Sequence, residues 1–205
     1  DNVSHGKLIR QMWEMGIRDK KLLCIVKQML KAQVVLPDGM RTTPTKGTPQ
    51  GGILSPLLSN IVLNELDWWV TSQWEEMPTH YEYKTRQNAH GTDIKSHTYR
   101  ALRRSRLKEM YIVRYADDFK IFCRSRQDAE KAFEATGLWL KDRLGLEISP
   151  EKSKVINLKQ RYSEFLGFKM KVCPKGKKYV VCSHMSDKAI KQAKGKISAA
   201  IRAIQ

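Results

Sequence analysis

RYADDFKIF, residues 114–122, sets Asp117 and Asp118 side by side between two apolar runs. Adjacent carboxylates repel, and near apolar surface each resists ionisation. Two explanations compete. Asp is a good turn former, so the pair can close a hairpin and do nothing more. Alternatively, a divalent cation lies between them. Ile112, Val113, Phe119, Ile121 and Phe122 form two short strands that need burial, so the bend at Ala116-Asp117-Asp118 leaves the edge of a core. Successive side chains of a strand point to opposite faces, and only a bend brings both carboxylates to one site. Two hard oxygen ligands on a rigid hairpin suit Mg²⁺, which takes few protein ligands and keeps water and phosphate partners.

Outward from this hairpin the chain alternates irregularly between helix and strand. SPLLSNIVLNELDWWVTSQW (55–74) starts with Ser55 as an expected N-cap and Pro56 at the first helical position. Leu58, Ile61, Val62, Leu66, Trp69 and Val70 follow at helical spacing. Two earlier helices are predicted, over SHGKLIRQMWEMG (4–16) and DKKLLCIVKQMLKA (19–32), with a hairpin across Pro37-Asp38-Gly39 after them. Residues 78–108 are polar, basic and without period, and read as a mobile insertion or a surface hairpin. Beyond the carboxylates, a helix capped by Asp128 is predicted over 128–145, then a turn leading into a strand within 146–158. Two or three strands with a Pro174-Lys175-Gly176 turn occupy 163–183. From Ser186 an amphipathic helix places Ile190, Ile197, Ile201 and Ile204 on one side. No internal repeat is visible. Mixed elements without strict alternation favour α+β over a doubly wound α/β fold.

Composition narrows the partner. Lys+Arg 38 against Asp+Glu 21 gives a net charge of +17, with a pI near 9.8. Such an excess favours a polyanion, nucleic acid before membrane. Between Lys84 and Arg126 there are 12 basic residues against 4 acidic, and from Lys152 to Lys196 there are 13 against 2. Arg100, Arg103, Arg104 and Arg106, packed just before the hairpin, are candidate RNA contacts. The acidic pair thus sits in a positive field that draws phosphates to the surface and cations to the carboxylates. Cys24, Cys123, Cys173 and Cys182 make no C-x-x-C pair, which suits neither a zinc site nor a dense disulfide framework. A reduced, cytosolic setting is the default, and no apolar run approaches the roughly 18 residues of a membrane span. The opening DNVSH, without a Met, reads as part of something longer, so a removed targeting peptide stays open.

GTPQGGILSP (47–56) adds a second element. Gly47, Gly51 and Gly52 surround Gln50, and glycine lets backbone come close to a ligand. The loop lacks the G-K-[ST] ending of a Walker motif, and taken singly it reads equally as a loop before a helix. Together, YADD between apolar strands, GTPQGGILSPLLSNIVLNELD before it, and EKSK and EFLGF after it resemble the palm of a reverse transcriptase. The likeness is nearest to the group II intron-encoded reverse transcriptases, or maturases, and its segments fall in order along nearly the whole chain.

That resemblance implies a right-hand polymerase palm with a ferredoxin-like split βαβ core and partial fingers over 1–185, and the first helix of a thumb-like region over 186–205. It implies RNA-directed DNA synthesis, with two Mg²⁺ ions in the complete site. Asp117 and Asp118 match the metal-binding aspartates, and Tyr115 lies beside them near the primer end. Gln50 and Gly51 match the loop that touches the incoming nucleotide and template. Lys152 falls where the family carries a lysine that protonates the leaving pyrophosphate, with Lys154 the competing candidate. Phe165, Leu166 and Gly167 match the primer-grip turn. The implied partners are an RNA template or intron RNA, a DNA primer and a dNTP, with no membrane and with self-association open. The implied setting is cytoplasmic, bacterial-type or organellar. One departure stands out: DNVSH resembles the tail of the family's first catalytic motif, whose aspartate falls upstream of Asp1. Residues 1–205 alone are therefore expected to hold metal weakly and to extend no primer. The alternatives are a non-catalytic RNA-binding splicing cofactor, or a retron or CRISPR-associated reverse transcriptase.

Overall fold

The computed structural model describes residues 3–35, 38–48 and 52–204, and divides into two compact units, Asp1–Ser153 and Lys154–Gln205. The first unit opens with two helices, His5–Glu14 (α1) and Lys20–Leu30 (α2). Asp19 caps α2 by accepting from the amides of Lys21 and Leu22 at 2.8 and 3.2 Å, which satisfies donors the helix itself leaves orphaned. Val34–Val35 (β1) and Arg41–Thr42 (β2) pair antiparallel, with Gly39 at φ 83° in the connection. Pro37, expected in that turn, lies outside the described residues.

The long helix Ser55–Gln73 (α3) organises the core. It starts one residue earlier than its punctuation suggested: Leu54 stands at the cap, and Ser55 is already helical. Leu58, Ile61, Val62, Leu63, Leu66 and Val70 are buried on it, joined by Leu8 and Met12 of α1 and Leu23, Val26 and Leu30 of α2. Trp69 stacks on Trp139 with ring centroids 5.1 Å apart.

Residues 78–108 hold the surface hairpin, Arg86–Gln87 (β3) with Asp93–Ile94 (β4), and also a helix, Ser96–Arg103 (α4), which corrects the expectation of a stretch without period. α4 is short and buries only Leu102 among its described residues, so its apolar signal is a single residue. Met110–Tyr115 (β5) and Asp118–Cys123 (β6) make the central hairpin. Arg126–Trp139 (α5) follows, its last turn widening over Leu140–Leu144 before Gly145 at φ 66°. Its cap is Ser125 and not Asp128. The Ser125 hydroxyl accepts from the Asp128 amide at 3.1 Å and donates to the Asp128 carboxylate at 2.7 Å.

In the second unit, Ser163–Phe165 (β7), Phe168–Lys175 (β8) and Lys178–Met185 (β9) form an antiparallel sheet in sequence order. The β8–β9 connection is Gly176-Lys177, one residue beyond the expected turn. No strand forms within 146–158, contrary to expectation. There the Leu158 carbonyl accepts from the Val172 amide at 2.9 Å. Asp187–Ile204 (α6) ends the unit with none of its described residues buried, and Ile190, Ile197, Ile201 and Ile204 are exposed. The break in compactness after Ser153 falls elsewhere than the expected 185/186 boundary, which concerns palm and thumb as functional regions.

Helices and small antiparallel sheets of two or three strands make this an α+β protein. Among the described residues β5 and β6 pair only with each other, so a split βαβ sheet is not seen as one hydrogen-bonded unit.

Because Leu66 is fully buried in this core, Leu66→Ala is expected to cost about 2–5 kcal/mol in urea unfolding. Leu57→Ala, on the same helix but 56% exposed, should stay within about 0.5 kcal/mol of the parent.

Candidate active site

The β5–β6 ladder runs in register from Met110↔Cys123 to Tyr115↔Asp118. Alternation divides its side chains. Met110, Ile112, Phe119 and Ile121 pack against the core, whereas Val113 and Tyr115 are exposed on the other face. Ala116 and Asp117 make the two-residue connection, and Asp118 is already the first residue of β6. Ala116 has φ 52°. Two-residue hairpins match strand twist when the first central residue has positive φ, and a residue with a Cβ pays about 1–2 kcal/mol there.

What holds that turn is Arg114. It stands on the buried face of β5, with its side chain 11% exposed. Its Nε donates to both Asp67 carboxylate oxygens, at 2.9 and 3.0 Å, and its Nη2 donates to Oδ2 at 2.5 Å. Its Nη1 donates to Asn60 Oδ1 at 2.7 Å and to the Ala116 carbonyl at 2.8 Å. Asn60 and Asp67 are seven residues apart on α3, about two turns, and so share a face. In the sequence Arg114 is only one more positive charge. The available signal was its place in the alternation, where a cation takes the position after Ile112 on the apolar face.

Asp117 and Asp118 are both exposed at the turn end, with Tyr115 across from Asp118. Two adjacent carboxylates on open surface fit a hard divalent ion that keeps most of its own waters. No third His, Cys, Asp or Glu joins them to make a metal cluster among the described residues. Lys152 is exposed on the turn at 150–152, and among the described residues no hydrogen bond or ion pair joins it to either carboxylate. Gln50 and Gly51 lie outside the described residues. The stem of their loop is pinned by a contact that the sequence did not disclose: buried His5 donates from Nε2 to the Gly47 carbonyl at 2.8 Å, and the Gly47 amide donates to the Val3 carbonyl at 2.8 Å. In the second unit, Leu166 and Gly167 form the β7–β8 turn with φ of 50° and 79°, closed by the Phe165↔Phe168 pair. The Gly167 carbonyl accepts from the Ser186 amide at 2.7 Å, which ties this turn to the start of α6.

The family described as reverse transcriptase (RNA-dependent DNA polymerase) matches residues 1–170, the stretch that contains this hairpin and its supports. The chain belongs to that family. It is 33% identical over 205 residues to the group II intron-encoded protein LtrA of Lactococcus lactis subsp. cremoris, covering 84% of this chain and 33% of the relative. It is 31% identical over 196 residues to the putative COX1/OXI3 intron 2 protein of Saccharomyces cerevisiae, covering 85% of this chain and 23% of the relative. Protein YkfC of Escherichia coli is 26% identical over 172 residues, covering 81% and 43%. The chain thus spans less than half the length of these curated relatives. The match agrees with the group II intron-encoded likeness carried by the motifs. Divalent metal ions are the general cofactor class of reverse transcriptases. Among the described residues no helix is long and apolar enough to cross a membrane.

The arginines before the hairpin divide into two kinds. Arg103 binds Glu109 through Nε at 3.1 Å to each oxygen and through Nη2 at 2.8 Å. Arg124 approaches the same carboxylate at 3.7 Å. Tyr111 donates its hydroxyl to Glu109 at 3.0 Å and receives the Trp74 indole N–H at 3.4 Å. Arg100, Arg104 and Arg106 are exposed and form no ion pair among the described residues. Arg103 is therefore a structural counterion, and the other three face solvent. A hollow of about 430 Å³ beside Arg103, Glu109 and Cys123 lies at the end of the hairpin away from the carboxylates. Burial pushes the Cys123 thiol up to about 11.

Hydrogen bonding from Arg103, then from Tyr111, holds the Glu109 carboxyl below its usual range, against an opposing desolvation. A depressed acid stabilises the fold above its unfolded pKa, and that contribution is lost as pH falls through the folded value. Stability measured by urea unfolding should therefore drop as pH is lowered from about 5 toward 3. Glu109→Gln should weaken the protein at neutral pH and flatten this acid limb.

Proposed function

We propose that the chain is the palm, with part of the fingers and the first helix of a thumb-like region, of a group II intron-type RNA-directed DNA polymerase. Residues 1–185 form the palm and fingers part, and 186–205 the start of the thumb. The observation that carries this is the exposed Asp117–Asp118 pair, held on a supported turn inside the stretch matched by the reverse transcriptase family. The reaction is attack of a primer 3′-hydroxyl on the α-phosphate of a dNTP, with an RNA template. Asp117 and Asp118 would hold Mg²⁺, which when bound supplies charge neutralisation at the phosphate and at the attacking oxygen. Tyr115, exposed beside them, lies along the primer end. Gln50 and Gly51 meet the incoming nucleotide and template, and Lys152 gives a proton to the leaving pyrophosphate. Phe165, Leu166 and Gly167 grip the primer through a turn whose two positive φ values fix its backbone. Arg100, Arg104 and Arg106 meet RNA phosphates, and Arg103 sets their helix in place.

A second reading has support of its own, which is assistance to intron splicing through RNA binding. The second unit holds 13 Lys/Arg against 2 acidic residues. Both acids, Glu164 and Asp187, pair with the same Lys169. Among the described residues the other cations of the unit form no ion pair, which leaves them for phosphates, in a bacterial cytoplasm or an organelle. The two roles are compatible in one protein and separable by experiment.

In the full-length protein, template-directed primer extension is expected to vanish with Asp117→Ala, while RNA affinity changes less than about threefold. Each phosphate neutralised should add about 0.7–0.9 to the salt slope, so RNA affinity should fall steeply between low and high salt. Extension that survives Asp117→Ala would refute the polymerase assignment. Affinity that stays flat with salt would refute the electrostatic one.

A further inference from the structure

We infer that Arg114 is a positioning residue for the carboxylate pair, acting through the Ala116–Asp117 turn and anchored by Asn60 and Asp67 of α3. The role rests on the polymerase chemistry proposed for Asp117 and Asp118, and it names what fixes their direction.

The β-ladder stops at Tyr115↔Asp118, so past that rung no strand hydrogen bond orients the chain. A two-stranded ribbon is twistable and only marginally stable by itself. Asp117 is joined to Ala116 by one peptide plane, and that plane carries the Ala116 carbonyl. Holding the carbonyl therefore holds the plane that leads into Asp117. Arg114 Nη1 does this at 2.8 Å, while the same guanidinium is forked onto Asp67 and bonded to Asn60. A rigid planar group bonded at three points cannot rotate without breaking at least one of them. Its anchor is itself fixed, because Asn60 and Asp67 ride on the helix whose other face carries Leu58, Ile61, Leu66 and Val70 into the core. The strained φ of Ala116 gives the arrangement its purpose: a turn away from the preferred backbone wells would relax unless a neighbour held it.

Charge alone would not do this. Lysine offers one compact ammonium on a flexible stem, and it cannot serve Asp67, Asn60 and the Ala116 carbonyl in one plane. Arg114→Lys therefore separates the two roles that Arg114 could have. If the residue only neutralises Asp67, lysine should serve nearly as well. If it positions the turn, lysine should fail.

The test is steady-state primer extension by the full-length protein, titrated with Mg²⁺ and separately with Mn²⁺, alongside thermal unfolding. For Arg114→Lys the expected result is a kcat lower by about 10–100-fold, the usual loss when a residue supporting metal ligands is removed. The metal concentration for half-maximal rate should rise, and KM for the dNTP should change little. Should Arg114→Lys fail to fold, Asn60→Ala, at an exposed position, removes one anchor and should give a smaller shift of the same kind. Wild-type kcat and metal dependence in a folded Arg114→Lys protein would overturn the assignment, provided Asp117→Ala still abolishes extension. So would a lowered unfolding temperature with unchanged kinetics in both variants. Extension that persists in Asp117→Ala marks a different failure, that of the polymerase assignment, and Arg114 then loses its role with it.

Discussion

The contact between Arg114 and Asp67 joins the two parts of the first unit that chemistry and packing demand separately. One is the helix that buries Leu58, Ile61, Leu66 and Val70, and the other is the hairpin that carries two carboxylates out of the core. An ion pair with side chains 11% and 31% exposed is an uncertain source of stability, since desolvation opposes the attraction. Its value here is geometric. The guanidinium finds acceptors on the helix and on the turn at once, so the registration of hairpin on helix is set by hydrogen-bond directions and not by apolar contact alone. Apolar packing by Ile112, Phe119 and Ile121 is tolerant of small slides. A bidentate fork is not.

The parts of this molecule that are local were legible in its sequence. The first three helices follow from the spacing of Leu8 and Met12, of Leu23, Val26 and Leu30, and of the apolar series from Leu58 to Val70. The errors at helix starts are instructive because they are small. Ser55 and Ser125 each stand near a second residue, Pro56 or Asp128, that also favours a first turn, and composition cannot choose between them. At α5 the two cooperate, with Ser125 capping and Asp128 returning the bond. The strand expected within 146–158 had the apolar residues for one, Val155, Ile156 and Leu158, but strand formation needs a partner, and pairing is a tertiary decision. α4 failed the other way, since Leu102 is a single apolar residue and the helix is fastened by Arg103 to Glu109.

The same division runs through the site. Asp117 and Asp118 announce themselves because they are adjacent, and the motifs around them are contiguous. Arg114, Asn60 and Asp67 do not, because their relation spans 47 and 54 residues and exists only once α3 lies against β5. His5 and Gly47, separated by 42 residues, are hidden for the same reason. Conversely, the run of four arginines looked uniform in sequence and is not, since Arg103 is committed to Glu109. Sequence reports how many charges there are. Structure reports which are already spoken for.

That distinction bears on why so basic a chain carries a bare acidic pair at a turn. In a regular strand Asp117 and Asp118 would face opposite sides, and their repulsion would be small. The two-residue turn puts both at the same exposed end and leaves Ala116 in a conformation that alanine avoids. Two unfavourable choices are thus made at adjacent residues, and neither adds to stability. The support beneath them is correspondingly strong, from Arg114 through Asn60 and Asp67 into the core. Local conflict that the surrounding structure over-determines is characteristic of functional positions. Nearby cations would otherwise offer the simplest relief for the repulsion, yet Arg114 uses its donors on Asp67, Asn60 and a carbonyl. Among the described residues, the turn that carries the carboxylates is thus bonded by a cation whose hydrogen bonds go to other groups, which leaves both charges for the divalent ion proposed there.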